Sequence, residues 1–495
     1  MEANVASSSQ ADNKTDADKK TNKDEVSPVH LVRQLGMVAC ITMTVGTVIG
    51  SGIFISPKGI LMNTGSLGAS MIVWALCGVL ATLGALSYGE LGTTFTKSGG
   101  DYIYLMESFG PMVAFIRIWT YLVSVRTGSS AVVALTAATY LHRVFLPNCE
   151  ELPYISVRLI AVVILVFIFY VNCVSVPLTT HLQVILTVAK VLGIALIILT
   201  GFVFICKGQI QNFEDSFEKT IDIKWQQIPL AFYAGLFAFS GWQYTPTFAE
   251  EIVRPARTLP LSIIISMVII TTVYLTANVG YFVLLTPTQL LDSDAVALSF
   301  AQQAFGSFSW IVSLAVVLSC IGAINGGIFS TSRIMFVAAR EGHLPHILSM
   351  IQIDKKTPLP AAAVILPITV IMVCGESVYD LITYLSFTRW LFVSLSVATI
   401  PYFRWKHPEW ERPFKVPLFV PITFTSVTLL LVVMSLYSSP RQCGIGFLIL
   451  ISGIPVYLVG VRWKNKPDWV NNATVKMTIF FQKLFLVVKQ ETKTY

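Results

Sequence analysis

Stretches such as LQVILTVAKVLGIALIILTGFVFIC, residues 182–206, recur along this chain and limit what it can fold into. An α-helix rises 1.5 Å per residue, so roughly 20 apolar residues cover the ~30 Å hydrocarbon core of a bilayer. Twelve stretches reach about that length: 35–61, 67–93, 111–143, 156–176, 182–206, 227–251, 258–285, 306–336, 359–376, 379–403, 415–437 and 444–463. Lipid offers no hydrogen-bond partners, so each run has to satisfy its own backbone as a helix. Composition agrees: of 495 residues, 54% are hydrophobic and 12% charged, about half the charge of a soluble domain. The expected fold class is an all-α membrane protein of twelve transmembrane helices.

The formal net charge of +7 then reads as orientation, not as nucleic-acid binding. With the N-terminus inside, the cytoplasmic segments hold most lysines and arginines, among them Arg33, Lys97, Arg254, Arg257, Arg340, Lys355 and Lys356. Twelve spans place both termini in the cytoplasm. Residues 1–32 are polar and carry no aromatic side chain, so they are expected as a disordered tail. No apolar stretch precedes Leu35, so this tail does not read as a signal peptide. A transmembrane domain over 33–465 and a C-terminal tail over 466–495 complete the expected organisation. Both N-x-[ST] sequons, at Asn13 and Asn472, fall in the tails, so no N-glycan is expected. Six of the eight cysteines sit in or beside apolar spans, and Cys443 sits at the edge of the last. Cys149, in FLPNCEELP, instead lies in a loop on the outer side, where a disulfide persists.

Two spans are interrupted. Span one carries Gly50, Ser51 and Gly52 near its middle, then Pro57. Span six carries Gly235 and Gly241 around Phe237, Phe239 and Ser240, then Pro246. Glycine costs about 1 kcal/mol in a helix interior and proline more, so such clusters predict unwound backbone. At membrane depth, unwound backbone persists only where it is buried or lines a cavity. Breaks five spans apart fit a transporter built as two inverted repeats, about 35–206 and 227–403, with two extra helices over 415–463. A half-helix N-terminus attracts a carboxylate, and freed carbonyls accept from an ammonium. α-Amino acids carry both groups on one carbon. The competing reading of the glycine triplet is close helix packing.

GTVIGSGIFISPKGIL, ELGTTFTKSGGDYIYLMESFG, FAEEIVRPARTLPLSIII, SRIMFVAAREGHLPHILSMI and ERPFKVPLFVP carry a resemblance. Over roughly residues 30–485 the chain resembles the L-type amino acid transporter family, the light chains of heteromeric amino acid transporters within the amino acid–polyamine–organocation superfamily. That resemblance implies twelve helices in a five-plus-five inverted repeat and obligatory, sodium-independent exchange of amino acids at the plasma membrane. It also implies a disulfide from Cys149 to a single-span, glycosylated heavy chain. Carried over, the family's carboxylate site falls on Ser51, Gly52 and Ile53. Its amine site falls on the carbonyls of Val48, Phe237 and Ser240, and its aromatic gate on Phe237. Core packing is the alternative role for Phe237.

Four cations lie deep in spans: Arg117, Arg126, Lys190 and Arg389. Such residues face the bundle interior and are functional candidates by default. Arg117, nearer the cytoplasmic end, is expected to snorkel. Arg126 stands before Thr127 where the family has proline; substrate contact and a structural ion pair both remain open for it. Lys190 suits sodium-independent exchange, because an ammonium repels sodium; a bond to a backbone carbonyl is the other role. Arg389, in LSFTRWLF, is about ten residues, or about 15 Å, into span ten, near the midplane. Neutral-substrate members of the family typically have Asn or Ala there, and arginine resembles the version that handles cystine and glutamate. Arg389 is therefore expected to bind the distal carboxylate of an anionic amino acid, since guanidinium pairs bidentately with carboxylate. A salt bridge to a protein carboxylate, such as Glu250 or Glu251, is the alternative.

Phe237 and the C-terminal CGIGFLILISGIPVYLVGVRWKNKPDW look more like exchangers of large neutral amino acids, which is the second functional expectation. A channel is a third, since broken helices also line pores. No catalytic constellation is evident: the six histidines lie in loops or at span ends, and no carboxylate or cysteine set completes a metal site. Neither enzyme activity, nor a cofactor, nor a metal is expected.

Overall fold

The computed structural model describes residues 35–95, 100–146, 153–243, 252–340, 342–353, 355, 357–375, 377–463 and 467–489. Apolar composition and length produce the expected result, an all-α, multi-pass membrane bundle. The first span is two helices, α1 (Met37–Val48) and α2 (Gly52–Thr64), bent by 52° at the glycine triplet. α3 (Leu67–Thr94) follows, capped by Ser66 accepting from the Ala69 N–H. Then come α4 (Asp101–Phe109), α5 (Pro111–Thr120), a π-helical stretch Tyr121–Arg126, and α6 (Thr127–Phe145); the last three form one continuous span. α7 (Tyr154–Val174) and α8 (Val176–Cys206) are the fourth and fifth spans. α9 (Ile228–Ala238) ends in a turn, and span six beyond 243, with Pro246, Glu250 and Glu251, lies outside the described residues until Ile252. α10 (Pro255–Leu284), α11 (Pro287–Asp292), α12 (Val296–Phe305), α13 (Trp310–Arg340) and strand β1 (Met350–Gln352) follow. α14 (Leu359–Gly375), α15 (Val378–Lys406), α16 (Phe419–Ser438), α17 (Pro440–Tyr457), α18 (Asp468–Phe485) and β2 (Val487–Lys489) complete the chain.

Among the described residues, nine helices are long and apolar enough to cross a membrane, and the bent α1–α2 pair makes ten. The other two expected spans are the truncated α9 and the 17-residue α14. Spans five apart pack on each other: one on six (α2 on α9), two on seven (α3 on α10), three on eight (α6 on α13) and four on nine (α7 on α14). That pairing fits two repeats of five. The core is aromatic where the repeats meet, with Tyr274 edge-on to both Trp74 and Phe239, which are tilted against each other.

Three features were not among the expectations, and the first overturns one. Arg117 does not snorkel: its guanidinium is buried and pairs with Asp101 at 2.7 Å. Asp101 stands in the first turn of α4, a helix too short and polar to register as an apolar run. The second is α18, an 18-residue helix within the stretch read as the C-terminal tail. β2 then pairs antiparallel with β1, with Met350 opposite Lys489 and Gln352 opposite Val487. The third is a buried clamp: Arg404 donates to Glu90 Oε1 at 2.9 Å and Oε2 at 2.5 Å, and the Val416 N–H donates to the same carboxylate at 2.9 Å. It ties the ends of α3 and α15 to the ERPFKVP segment.

Candidate functional site

The two breaks face each other. A Cβ built on Gly52 would lie 2.5 Å from the Ala238 Cα, so the start of α2 meets the end of α9 backbone to backbone. Gly241 has φ +134°, a conformation side chains rarely adopt, and its Cα faces the Thr47 carbonyl, 3.1 Å from where a Cβ would stand. Ser56, one turn further along α2, donates to the Ala234 carbonyl at 2.6 Å.

This arrangement collects opposite partial charges in one place. The Ser51 side chain makes no capping bond to α2, and the Gly52 and Ile53 N–H groups find no backbone acceptor among the described residues. They are the orphan donors of a helix N-terminus, with positive partial charge. Opposite them end the carbonyl-bearing termini of α1 and α9. Tyr274 of α10 bridges those two termini: its hydroxyl lies 2.9 Å from the Val48 carbonyl and 3.0 Å from the Ala238 carbonyl. The hydroxyl has one proton, so the two carbonyls share it, and each keeps a lone pair. The Phe237 carbonyl accepts from the Ser240 hydroxyl at 2.7 Å, and the Phe237 side chain is buried. The sequence reading missed Tyr274; a tyrosine inside the apolar run of span seven was its only signal.

Lys190 of α8 reaches the first break from behind, its ammonium donating to the Gly46 carbonyl at 2.7 Å. An ammonium thus sits on a carbonyl of the last turn of α1, just before the break. Val48, Ser51, Gly52, Ile53, Phe237, Ser240 and Lys190 are therefore brought to one locus. The two arginines stand on other elements. Arg126 ends the π-helical stretch, and its Nη2 lies 1.4 Å from where a Cβ on Gly327 would be, so the guanidinium fills the space left by the missing side chain. Its buried Nε has no hydrogen-bond partner among the described residues. The helix continues from Arg126 directly into α6 at Thr127.

Arg389 is buried, 7% exposed, in the middle of α15. α15 packs on α9 and also on the π-helical stretch, where Ser124 and Thr388 hydroxyls meet at 3.4 Å. The helix that carries Arg389 thus packs on both α9, the first half of span six, and the segment that carries Arg126. Cys149 lies outside the described residues.

A helical membrane bundle that breaks two helices face to face, and holds the buried Lys190 on a carbonyl at the first break, is built as a membrane permease. The chain belongs to the amino acid permease family, whose model matches residues 35–481. It is 45% identical over 465 residues to the cystine/glutamate transporter of Homo sapiens, covering 94% of this chain and 92% of that protein. It is 40% identical over 462 residues to the large neutral amino acids transporter small subunit 2 of Mus musculus, covering 93% and 87%. It is also 40% identical over 478 residues to the b(0,+)-type amino acid transporter 1 of Mus musculus, covering 96% and 97%.

Proposed function

We propose that this chain is a sodium-independent, obligatory exchanger of anionic amino acids, with cystine and glutamate as the substrate pair. The observation that carries the reading is Arg389, a buried guanidinium in mid-span on the helix packed against α9, the first half of span six. The 45% identity to a cystine/glutamate transporter supports the same choice. In this reading the α-carboxylate sits on the N–H groups of Ser51, Gly52 and Ile53, and the α-ammonium on the carbonyls of Val48, Phe237 and Ser240. Phe237 closes over the substrate. Arg389 takes the distal carboxylate, and Arg126 adds a second positive charge to the same cavity. In the loaded site the substrate's distal carboxylate faces the guanidinium, a charge-assisted, bidentate pairing. Lys190, bonded to Gly46, occupies the place where a sodium ion would otherwise be drawn to freed carbonyls.

The exchanger works as the light chain of a heterodimer in the plasma membrane, both termini cytoplasmic, with Cys149 disulfide-bonded to a single-span, glycosylated heavy chain. A relative named as a small subunit supports that assembly. One reading competes: exchange of large neutral amino acids, with Arg389 structural, which the 40% identity to such a transporter and Phe237 favour. Sodium-free uptake of labelled cystine, glutamate and leucine into cells co-expressing a heavy chain, preloaded with each amino acid in turn, tests the proposal. Cystine entry that requires internal glutamate supports it. Entry into cells without internal substrate marks a channel, and leucine entry without cystine entry marks the neutral exchanger.

A further inference from the structure

The helix α18 follows the last membrane span by five residues, from Arg462 to Asp468. A fully extended link of that length reaches about 20 Å, so α18 begins within that distance of the end of the last span. It cannot itself cross: Asp468, Lys476, Lys483 and several amides and hydroxyls interrupt its 18 residues. Five of its apolar residues, at 469, 473, 477, 480 and 484, with spacings of four, four, three and four, line one stripe, which Phe481 and Phe485 flank on one side. Trp469 is 72% exposed, Met477 61%, Phe480 60% and Leu484 58%. Along one border of that stripe run Lys476 and Lys483; Asn472 lies on the polar side with them, as do the apolar Val475 and Ile479.

At its far end α18 is tethered to the protein. β2 pairs with β1 in the segment between the eighth and ninth spans, and Gln482 reaches Met350. One end is thus fixed by the last span, the other by the hairpin, and the stripe between them is uncovered. An apolar stripe bordered by lysines, held at the bilayer edge, is the pattern of an interfacial helix.

We propose that α18 lies in the cytoplasmic leaflet, with Trp469, Ala473, Met477, Phe480 and Leu484 among the acyl chains and Lys476 and Lys483 on anionic headgroups. Lipid contact then holds β2 in register with β1, which makes the segment between spans eight and nine sensitive to leaflet charge. This goes beyond the exchange reaction and holds whichever amino acids are carried.

The test uses the full chain in nanodiscs, with Cys149, Cys206 and Cys374 replaced by serine. Nitroxides are attached through Met477→Cys, Leu484→Cys or, on the polar side, Asn472→Cys. Accessibility to oxygen and to a water-soluble nickel complex is read in phosphatidylcholine alone and with phosphatidylserine added. The expected result is a several-fold higher oxygen-to-nickel ratio at 477 and 484 than at 472. The contrast should grow with phosphatidylserine and shrink in Lys476→Gln/Lys483→Gln. Equal nickel access at all three positions overturns the proposal. So do labels at 477 and 484 shielded from both reagents, which would mean that protein covers the stripe. A contrast indifferent to phosphatidylserine overturns the anionic-lipid assignment.

Discussion

Tyr274→Phe removes a single oxygen from the centre of the site. In the structure that hydroxyl is shared by the Val48 and Ala238 carbonyls, at 2.9 and 3.0 Å, and Tyr274 is fully buried. Losing the bond forfeits a net ~1 kcal/mol, and leaving a buried carbonyl unpaired adds about 1–3 kcal/mol. The phenyl ring stays, so the aromatic contacts with Trp74 and Phe239 survive. A loss of about 2 kcal/mol corresponds to roughly a 30-fold change in an equilibrium. If it falls on the conformation that holds the two breaks together, substrate affinity drops by up to that factor, because ligand binding is reduced by the population of the competent state. The assay is exchange in proteoliposomes over a range of external substrate, with the thermal midpoint of the purified protein measured alongside. A raised KM beyond what the change in midpoint explains supports the bridge as a positioning device. KM, maximal rate and midpoint all equal to wild type would refute the reasoning. A lowered midpoint with unchanged KM would confine the hydroxyl to folding.

Further outcomes are expected elsewhere in the bundle. Glu90→Gln leaves the Arg404 guanidinium facing a neutral amide in a buried clamp, and should cost about 3 kcal/mol or more, read as a lowered midpoint in detergent. Gly52→Ala should abolish exchange, because its Cβ would stand 2.5 Å from the Ala238 Cα, whereas Gly46→Ala, with nothing within 4 Å, should be tolerated; surface biotinylation separates folding from transport in both. Lys190→Gln keeps a donor near the Gly46 carbonyl but removes the charge, and exchange should become sensitive to replacing sodium with choline.

The membrane architecture was legible because span length and apolarity are local properties of the chain. The two breaks were legible for the same reason: Gly50-Ser51-Gly52 and the Gly235–Gly241 segment announce unwound backbone without reference to anything distant. What joins them was not. Tyr274 acts on carbonyls 226 and 36 residues away, and one hydroxyl in an apolar run carries no pattern. Glu90 and Arg404 are 314 residues apart, so sequence shows two charges at span ends and not a clamp. The Asn325 side chain, which donates to Gln183 and accepts from Asn172, joins three spans in the same unreadable way. Arg117 was misjudged because its partner, Asp101, stands on a short helix that a search for long apolar runs passes over. α18 escaped for a related reason: its signal is a period of 3.6, not a run. Backbone chemistry at a break is written locally; the side chains that complete it come from across the fold.

The central claim is that Arg389 selects an anionic side chain. Its most direct measurement is sodium-free cystine uptake against internal glutamate, beside leucine uptake, in wild type, Arg389→Asn and Arg389→Ala at matched surface levels. The account predicts cystine–glutamate exchange in wild type, at least tenfold weaker in both variants, since a charge-assisted pair is worth about 1.5–3 kcal/mol. Leucine exchange that survives both substitutions, with no cystine uptake in wild type, would contradict it and leave a neutral amino acid exchanger whose arginine only holds the bundle together.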